Sequence, residues 1–410
     1  MGAYACDPHQ GSEPGVGWHW AIEAVNAGHR VCVVTRANNR PAIETALRAD
    51  PQPDLEVEYL DLPSPFRFLK RRLGHAGLLA YYYLWQLRLA VRARRLHRRL
   101  GFDLAHHVTF VNDQLPSGLA FLPIPFVWGP VGGSTHRLPR TIQVDLPRYA
   151  RMHELVRAST QFVLKHLDPF AWYTRRRAAV ILTYSKEALH GLRPAERERA
   201  RAVVHIGVEP TEASPCPPAR TPDAALRVLT GGRLVHWKGY DLIIEGFARF
   251  LAARPESEAR LVVTGSGPFQ PRLEALVRQH CLQEHVRFLG RLETVDEVSS
   301  LMAESDLFAL PTLRDGPPVA LLDAMVAGLP VLCLDLGAPA ELVPRGAGFK
   351  IEPRSRRYVI EEIATALASL EDDRDLARAM GRFARGFALR EHDWAVIRNE
   401  LERAYQDATA

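Results

Sequence analysis

Two carboxylates in the second half of the chain have a spacing that suits a long ligand. Asp315 and Asp323 stand eight residues apart, at the entrance to and within a helix predicted to begin at Pro317-Pro318, because proline suits a first helical turn. At about 1.5 Å of rise per residue, they lie roughly 12 Å apart along the axis. That is too far for acid–base catalysis on one bond, but it fits contacts with both ends of one ligand. A helix-capping aspartate and a solvated one are the equally consistent alternative.

Two cations follow a Gly-Gly turn earlier in the same half. Arg233 and Lys238 flank the tetrapeptide Leu-Val-His-Trp, just before a helix predicted near Gly239. Cations close to a helix N-terminus can hold a diphosphate, and the helix macrodipole adds to the attraction. The alternative is a pair of solvated surface cations.

Other glycine turns and a histidine pair follow predicted strands. The turns are residues 11–17, before a helix predicted at 18–27, and residues 129–133 and 265–267. In a doubly wound fold such strand ends face the ligand, and glycine lets backbone N–H groups approach a phosphate. No turn has the dinucleotide GxGxxG pattern. His106 and His107 end another predicted strand, where one of them either faces the ligand or is structural.

Short β runs alternate with helical segments in both halves, which predicts parallel sheets with crossover helices. The predicted strands are residues 31–35, 55–60, 104–108, 125–128 and 179–182, then 226–230, 260–264, 286–289, 307–310 and 331–334. The fold class is therefore α/β, with two Rossmann-like doubly wound domains. Only a stub, Ala3-Tyr4-Ala5, precedes the first glycine turn, which leaves open whether the chain start is truncated.

The chain length and one proline-rich segment predict the domain boundary. A chain of 410 residues exceeds a single ordinary core. Residues 208–223 contain five prolines and no apolar periodicity, as a linker does. The predicted domains are residues 1–207 and 224–392, followed by a helix over about 393–407.

Composition excludes several classes of protein and site. The chain is 47% hydrophobic and 24% charged, which is ordinary for a globular protein. Its five cysteines lack CxxC spacing and predict reduced thiols in a cytosolic protein. No apolar run reaches the length of a membrane span. Without HExxH or a Cys/His cluster in the sequence, we expect no metal site.

A basic block covers residues 67–99. Ten Lys/Arg and no acid lie between Asp61 and Asp103, so an anionic partner is expected. A helix over 75–100 carries an apolar face and an arginine stripe beside it: Leu78, Tyr82, Trp85 and Leu89, then Arg88, Arg92, Arg95 and Arg99. This pattern predicts either an interfacial helix on an anionic membrane surface or an ordinary crossover helix packed on the sheet.

The motifs, taken in order, resemble those of the retaining glycosyltransferases of family 4, which have the GT-B fold of two Rossmann-like domains facing a cleft. The second half carries Gly-Gly-Arg-Leu-x3-Lys-Gly from 231, Gly-Ser-Gly from 265, Val-Arg-Phe-Leu-Gly from 286, and acid-x7-acid from 315. The first half resembles one bacterial, glycan-synthesis branch through Gly-Ser-Glu-Pro-Gly-Val-Gly-Trp, His-His-Val-Thr-Phe and Trp-Gly-Pro-Val-Gly-Gly.

The resemblance implies a nucleotide-sugar donor on the second domain and an acceptor on the first. Arg233 and Lys238 match the family's diphosphate cations, Asp315 the acid at the donor sugar, and Asp323 the acid at the ribose. His106, or else His107, matches the histidine near the transferred sugar. Further contacts with the donor, or for the first two with the acceptor, are expected from Gly15, Gly17, Gly232, Gly265, Leu289, Gly316 and Val319. The helix at 393–410 is expected to cross back to the first domain.

The sequence departs from the family pattern at the two acids and beside them. The family usually has glutamate at both positions, and each aspartate loses roughly 1.5 Å of reach. Pro317 and Pro318 lack the N–H groups that the family often supplies after the first acid. We therefore expect Arg233 and Lys238 to carry more of the leaving-group charge.

The predicted activity is retaining glycosyl transfer to a glycan or lipid-linked acceptor, without metal or cofactor. It is placed in the cytoplasm, peripheral to the inner face of the membrane. The alternatives are a GT-B nucleotide-sugar epimerase and a catalytically lapsed nucleotide-sugar-binding or scaffold protein. A nucleic-acid partner would explain the arginines but not the donor motif, so none is expected. The sequence leaves the donor, acceptor, linkage and oligomeric state undetermined.

Overall fold

The computed structural model describes residues 1–133, 138–143, 148–208, 225–292 and 294–410. It divides into two compact units. The first comprises Met1–Thr135, Leu155–Gly207 and Trp394–Ala410, and the second comprises His136–Glu154 and Val208–Asp393. The second unit thus includes residues 136–154, which the sequence had assigned to the first domain. Apart from Val208, the predicted linker lies outside the described residues.

Each unit contains one parallel sheet within the described parts of the chain. The strands are β1 (Gly2–Ala3), β2 (Val31–Thr35), β3 (Leu55–Tyr59), β4 (Ala105–Thr109), β5 (Phe126–Val131), β6 (Val180–Thr183), β7 (Ala200–Ala202), β8 (Arg227–Gly231), β9 (Arg260–Thr264), β10 (Val286–Gly290), β11 (Leu307–Leu310), β12 (Val331–Leu334) and β13 (Gly348–Ile351). The first sheet has the order β3-β2-β1-β4-β5-β6-β7 and the second β10-β9-β8-β11-β12-β13. The predicted fold class, two doubly wound α/β units, is therefore confirmed.

Helices connect the strands and cover the sheets. They are α1 (Ser12–Asn26), α2 (Arg40–Ala49), α3 (Ser64–Arg72), α4 (Gly74–Leu100), α5 (Arg140–Gln143), α6 (Arg148–Leu167), α7 (Pro169–Arg177), α8 (Lys186–His190), α9 (Pro194–Arg197), α10 (Tyr240–Ala253), α11 (Gln270–Gln279), α12 (Val295–Ala303), α13 (Val319–Val326), α14 (Gly337–Leu342), α15 (Arg356–Asp372), α16 (Arg374–Glu391) and α17 (Trp394–Thr409). Among the described residues, no helix has both the length and the apolar character needed to cross a membrane.

The long helix α4 packs its apolar face on one side of the first sheet. Trp85 and Leu89 are fully buried there with Trp128 of β5, and the Trp85 indole donates a hydrogen bond to the Leu60 carbonyl. The prediction that these rings lie at lipid headgroup depth is therefore wrong, and the crossover-helix alternative holds for this face. The arginine stripe is partly paired, because Arg92 and Arg99 form ion pairs with glutamates of β3.

The other side of the first sheet is covered by α1 and α17. Trp20 of α1 and Ile397 and Leu401 of α17 are buried in one apolar cluster with Val33 and Val127 of the sheet. The C-terminal helix therefore completes the core of the first unit, although the preceding residues belong to the second.

Two predicted helix starts differ from the structure. Residues 12–17 are the first turns of α1 rather than a glycine turn; Pro14 is compatible with a first helical turn, where its missing N–H group has no helical partner to lose. The helix predicted from Pro317 begins only at Val319, with Pro318 as its extended N-cap. Helical backbone is disfavoured at a residue that precedes proline, which accounts for the later start and removes the basis for the 12 Å axial separation.

Candidate functional site

The candidate site lies where β8 and β11 run side by side in the second sheet. In open α/β sheets, ligands bind beyond the carboxyl ends of the two strands at which the order reverses. Here those strands are β8 and β11, and the loops 232–239 and 311–318 leave from their ends. These loops carry Arg233, Lys238 and Asp315, so the topology brings together residues that the sequence places far apart.

Backbone hydrogen bonds join three of the loops directly. The Leu313 N–H donates to the Trp237 carbonyl at 2.8 Å, and the Leu234 N–H donates to the Ser266 carbonyl at 3.0 Å. The Gly232 N–H donates to Thr264, the last residue of β9, at 3.2 Å. The glycine turns at 231–233 and 265–267 and the loop that carries Asp315 are thus connected to one another.

Two glycines permit this close approach. Gly239 has φ +73°, and a Cβ there would lie 2.0 Å from the Pro311 carbonyl oxygen. Gly265 has φ +102°, and its Cβ would lie 1.9 Å from the Gly232 carbonyl oxygen. Positive φ and backbone contact both require glycine, so loop packing alone explains these residues. Phosphate contacts by Gly232 and Gly265 stay predictions.

The predicted diphosphate lysine and the predicted sugar-binding acid are partners in the structure. Lys238 Nζ forms an ion pair with Asp315 Oδ2, and their side chains are 18% and 22% exposed. Burial raises the pKa of the Asp315 carboxyl, while Lys238 and the Gly316 backbone act to lower it. A bound diphosphate would therefore compete with Asp315 for the lysine.

Trp237 lies between two arginines. The exposed Arg233 guanidinium lies 5.8 Å from the centroid of the Trp237 ring, and Arg314 lies 4.8 Å from it. Both distances are within cation–π range. Arg314 and Trp237 were not predicted from the sequence, where they only flank residues of the motif.

A buried glutamate anchors both loops. Glu154 of α6 accepts hydrogen bonds from the Arg314 guanidinium and from His236 Nε2, the latter at 3.1 Å. All three side chains are at most 7% exposed. Glu154 therefore holds the residue before Asp315 and the residue two before Lys238 at the same point. It stands 82 and 160 residues from its partners, so no motif spacing could reveal the cluster.

The same carboxylate lies beside a second histidine. Possible ligand atoms of His153, Glu154 and His236 lie within 4.8 Å of one another, and metal sites often combine histidine with carboxylate. A spacing search could not find this group either. Its glutamate is already engaged by Arg314 and His236, whose hydrogen bonds use the oxygens that a metal would need.

The remaining predicted donor residues occupy the same unit. Asp323 lies on α13 and is exposed to solvent. Nearby protein atoms raise the pKa of its carboxyl through desolvation, and contact with water limits this effect. Val319 is the first residue of α13, and Leu289 lies at the end of β10. Their contacts with a donor stay predictions.

The predicted pair His106 and His107 lies in the core of the first unit. His106 and His107 are each 1% exposed. The Nε2–H of His106 donates to the Gly129 carbonyl at 2.7 Å, so its Nδ1 accepts from the Tyr405 hydroxyl at 2.9 Å. His107 is bonded likewise, to Phe110 and Ser117. Burial lowers the pKa of His106 to about 3 and that of His107 to about 4. With both ring nitrogens engaged, contact of either with a transferred sugar stays a prediction.

The glycines of α1 serve packing, and a neighbouring acid was overlooked. Gly15 and Gly17 are buried, and a Cβ on Gly17 would lie 2.0 Å from the Ala5 carbonyl oxygen. Glu13 in the first turn of α1 accepts the Val111 N–H at 2.6 Å, and burial raises its pKa to about 7. It joins the loops after β1 and β4, where the order of the first sheet reverses.

Comparison with known proteins finds a family match for the part of the chain that contains the loops 232–239 and 311–318. Residues 219–387 match the family model described as glycosyl transferases group 1. The match covers 169 of the 410 residues, all of them in the second half of the chain. This group 1 glycosyl transferase stretch contains Arg233, Lys238, Asp315 and Asp323. The predicted resemblance to glycosyltransferases is confirmed there, while its assignment to the retaining enzymes of family 4 stays a prediction.

Two curated relatives and one solved structure are also similar to this chain. A GDP-mannose-dependent monoacylated alpha-(1-6)-phosphatidylinositol monomannoside mannosyltransferase of Corynebacterium glutamicum is 30% identical over 186 residues, which is 44% of this chain and 46% of the relative. The alignment therefore spans about half of that enzyme. An alpha-D-kanosaminyltransferase of Streptomyces kanamyceticus is 24% identical over 82% of this chain and 85% of its own. Anabaena Alr3699/HepE, solved with UDP and glucose, shares the fold with a TM-score of 0.60, at 18% identity over 97% of both chains.

Proposed function

We propose that this protein is a glycosyltransferase that binds a nucleotide-sugar at the loops 231–239 and 311–323. It transfers the sugar to a glycan or lipid-linked acceptor with retention of configuration and without a metal ion. The observation that carries the proposal is the pairing of Lys238 with Asp315 at the β8/β11 reversal, inside the group 1 glycosyl transferase stretch.

The related proteins support the classes of donor and acceptor. The corynebacterial relative is named for GDP-mannose and a phosphatidylinositol mannoside, and the Anabaena protein was solved with UDP and glucose. These names support a nucleoside diphosphate donor and an acceptor on a lipid or glycan. The lipid in the first of these names supports action at a membrane, and we propose that it takes place at the cytoplasmic face.

Binding of the donor would rearrange the charges of the site. The diphosphate takes Lys238 from Asp315 and lies near Arg233, so two fixed cations face the charge that grows on the leaving group. Preorganised charge of this kind usually lowers the barrier of a reaction more than any other single effect. Asp315, released from the lysine, accepts hydroxyls of the sugar, and Asp323 accepts those of the ribose.

The path with retention follows from the resemblance. In it, the leaving phosphate helps to deprotonate the acceptor hydroxyl on the same face, and no covalent nucleophile is used. The acceptor is held by the first unit, where Glu13, whose pKa is raised by burial, lies at the reversal of the sheet. The proposal includes contacts of Gly15 and Gly17 with the donor or the acceptor, and of His106 with the transferred sugar.

One experiment separates this function from its rivals. Thermal unfolding is measured with UDP-, GDP- and ADP-sugars, since a ligand that binds only the folded state stabilises it. Nucleotide release is then measured with and without membrane-extracted glycolipid acceptors. Acceptor-dependent release supports the proposal. Conversion of the sugar without acceptor would indicate an epimerase, and binding without any turnover would indicate the lapsed binding protein.

A further inference from the structure

A band of apolar side chains on α6 faces solvent in the first unit. Leu155, Val156, Phe162, Val163 and Leu167 are each between 50% and 70% exposed. We call these five residues the α6 outer face. Contiguous exposed apolar patches on soluble proteins are usually interaction sites. Here five exposed apolar residues lie within one helix.

The helix is fixed in the orientation that exposes these residues. Leu155 and Phe162 are seven residues apart, as are Val156 and Val163, and Leu167 follows Val163 by four residues. These spacings put all five on one side of the helix. Leu164, on the opposite side, packs against the core beneath α4. Arg157 donates a hydrogen bond to the Gly133 carbonyl. Leu164 and Arg157 therefore face the protein, and the α6 outer face is turned to solvent.

The charges around the α6 outer face favour an anionic partner. No acid occurs from Leu155 to Leu167. The cations Arg157 and Lys165 lie at the inner border of the helix, where they donate hydrogen bonds to the Gly133 and Gly191 carbonyls. In the next helix, Trp172 is 46% exposed and Arg176 lies 5.5 Å from its ring. Exposed apolar groups with tryptophan and cations suit the headgroup region of an anionic bilayer. A second copy of the chain would bring like charges together.

We propose that the α6 outer face is the docking surface of this protein for anionic phospholipid membranes. It takes the place of the α4 face, whose aromatic residues are buried. The proposal deepens the proposed function, since docking would bring the enzyme to a lipid-linked acceptor. Membrane binding itself requires neither donor nor acceptor, so it can be measured separately.

Flotation of the full chain with vesicles tests the docking surface. The vesicles are phosphatidylcholine alone, or an equimolar mixture with phosphatidylglycerol. We expect wild type to float with the mixture only, and more weakly at high salt because salt screens the charges. Phe162→Gln/Leu167→Gln should lower the partition by at least about tenfold, because two large apolar side chains no longer enter the bilayer.

A matched variant controls for nonspecific loss. Leu84 and Val91 are also exposed, at 38% and 52%, on the first unit's helix α4. Leu84→Gln/Val91→Gln should float like wild type. Unchanged thermal unfolding of both variants shows that they fold.

Three results would overturn the proposal. They are wild type that stays unbound, equal flotation on neutral vesicles, and an equal loss in the α4 control. A wild-type dimer that Phe162→Gln/Leu167→Gln converts to a monomer, without flotation, would identify a self-association face instead. Flotation without any stabilisation by nucleotide-sugars would refute the proposed function and leave the docking surface standing.

Discussion

Lys238 is the residue on which the proposed chemistry depends most. Without donor it neutralises Asp315; with donor it would stabilise the departing diphosphate. We expect Lys238→Ala to lower kcat by at least about tenfold, equivalent to about 1.4 kcal/mol in the barrier. Measurement of kcat under saturating donor checks this. A loss within about threefold would show that the lysine carries little leaving-group charge.

Lys350 provides the matched control for that variant. It is 20% exposed and lies 3.6 Å from Asp335, so it is another half-buried lysine paired with an aspartate in the second unit. Lys350→Ala should leave kcat unchanged, because the residue lies on β13, at the far edge of the sheet from the candidate loops.

The raised pKa of Asp323 predicts that this residue lowers the stability of the folded protein at pH 8 while it contributes to donor binding. Its pKa is raised from 3.8 to about 7 by desolvation, so the folded protein holds this proton more tightly than the unfolded chain. Stability is therefore lost as pH rises through that window, by a small amount because the exposed side chain is screened by water. We expect Asp323→Asn to match wild type in Tm near pH 4, to exceed it at pH 8, and to bind donor more weakly. A difference in Tm that is constant from pH 4 to 8 would contradict this.

At the scale of residues, sequence motifs identified the side chains proposed to contact the donor but not the buried glutamate that holds their loops in place. Arg233, Lys238 and Asp315 stand in recognisable patterns and are brought together by the fold. Glu154 stands in none, because it meets Arg314 and His236 only through the tertiary structure. His106 shows the opposite limit: its position in a motif predicted a sugar contact, but burial and two hydrogen bonds are invisible in a sequence.

At the scale of elements, the start of α6 connects two loops of the donor site. Glu154→Gln would leave Arg314 and His236 buried beside a neutral amide, and removing one partner of a buried ion pair costs about 3–5 kcal/mol at most. We expect a smaller loss of unfolding free energy, since glutamine still accepts hydrogen bonds, and a rise in donor KM of about tenfold or more as both loops loosen. Donor titrations and thermal unfolding measure the two effects.

Glu196 offers the corresponding control in the first unit. It forms an ion pair with Arg175 at 3.5 Å, with side chains 9% and 3% exposed. Glu196→Gln should also lower Tm but leave donor KM unchanged. An equal donor KM in Glu154→Gln and Glu196→Gln would show that Glu154 has only a structural role. Added zinc should alter neither parameter in wild type, and zinc-dependent stabilisation lost in Glu154→Gln would instead indicate a metal centre.

Elements were predictable where burial is two-sided. Strands such as β6, β11 and β12 read as apolar runs and are buried throughout, because helices cover both faces of a parallel sheet. The edge strands β7 and β13, Ala-Arg-Ala and Gly-Phe-Lys-Ile, lack such runs and were missed. The apolar face of α4 was visible in the sequence, but only the structure shows whether sheet or lipid covers it.

At the scale of the whole molecule, each unit has a core of its own, and the C-terminal helix α17 packs into the first core although the residues before it belong to the second unit. Leu401 of α17 and Leu367 of α15 are both fully buried, one in each unit. A buried leucine replaced by alanine costs about 2–5 kcal/mol. We expect calorimetry to resolve two transitions, of which Leu401→Ala lowers one and Leu367→Ala the other. Because the donor loops belong to the second unit, nucleotide-sugar should raise only the transition that Leu367→Ala lowers. A single transition shifted equally by both variants would mean that the two cores unfold as one.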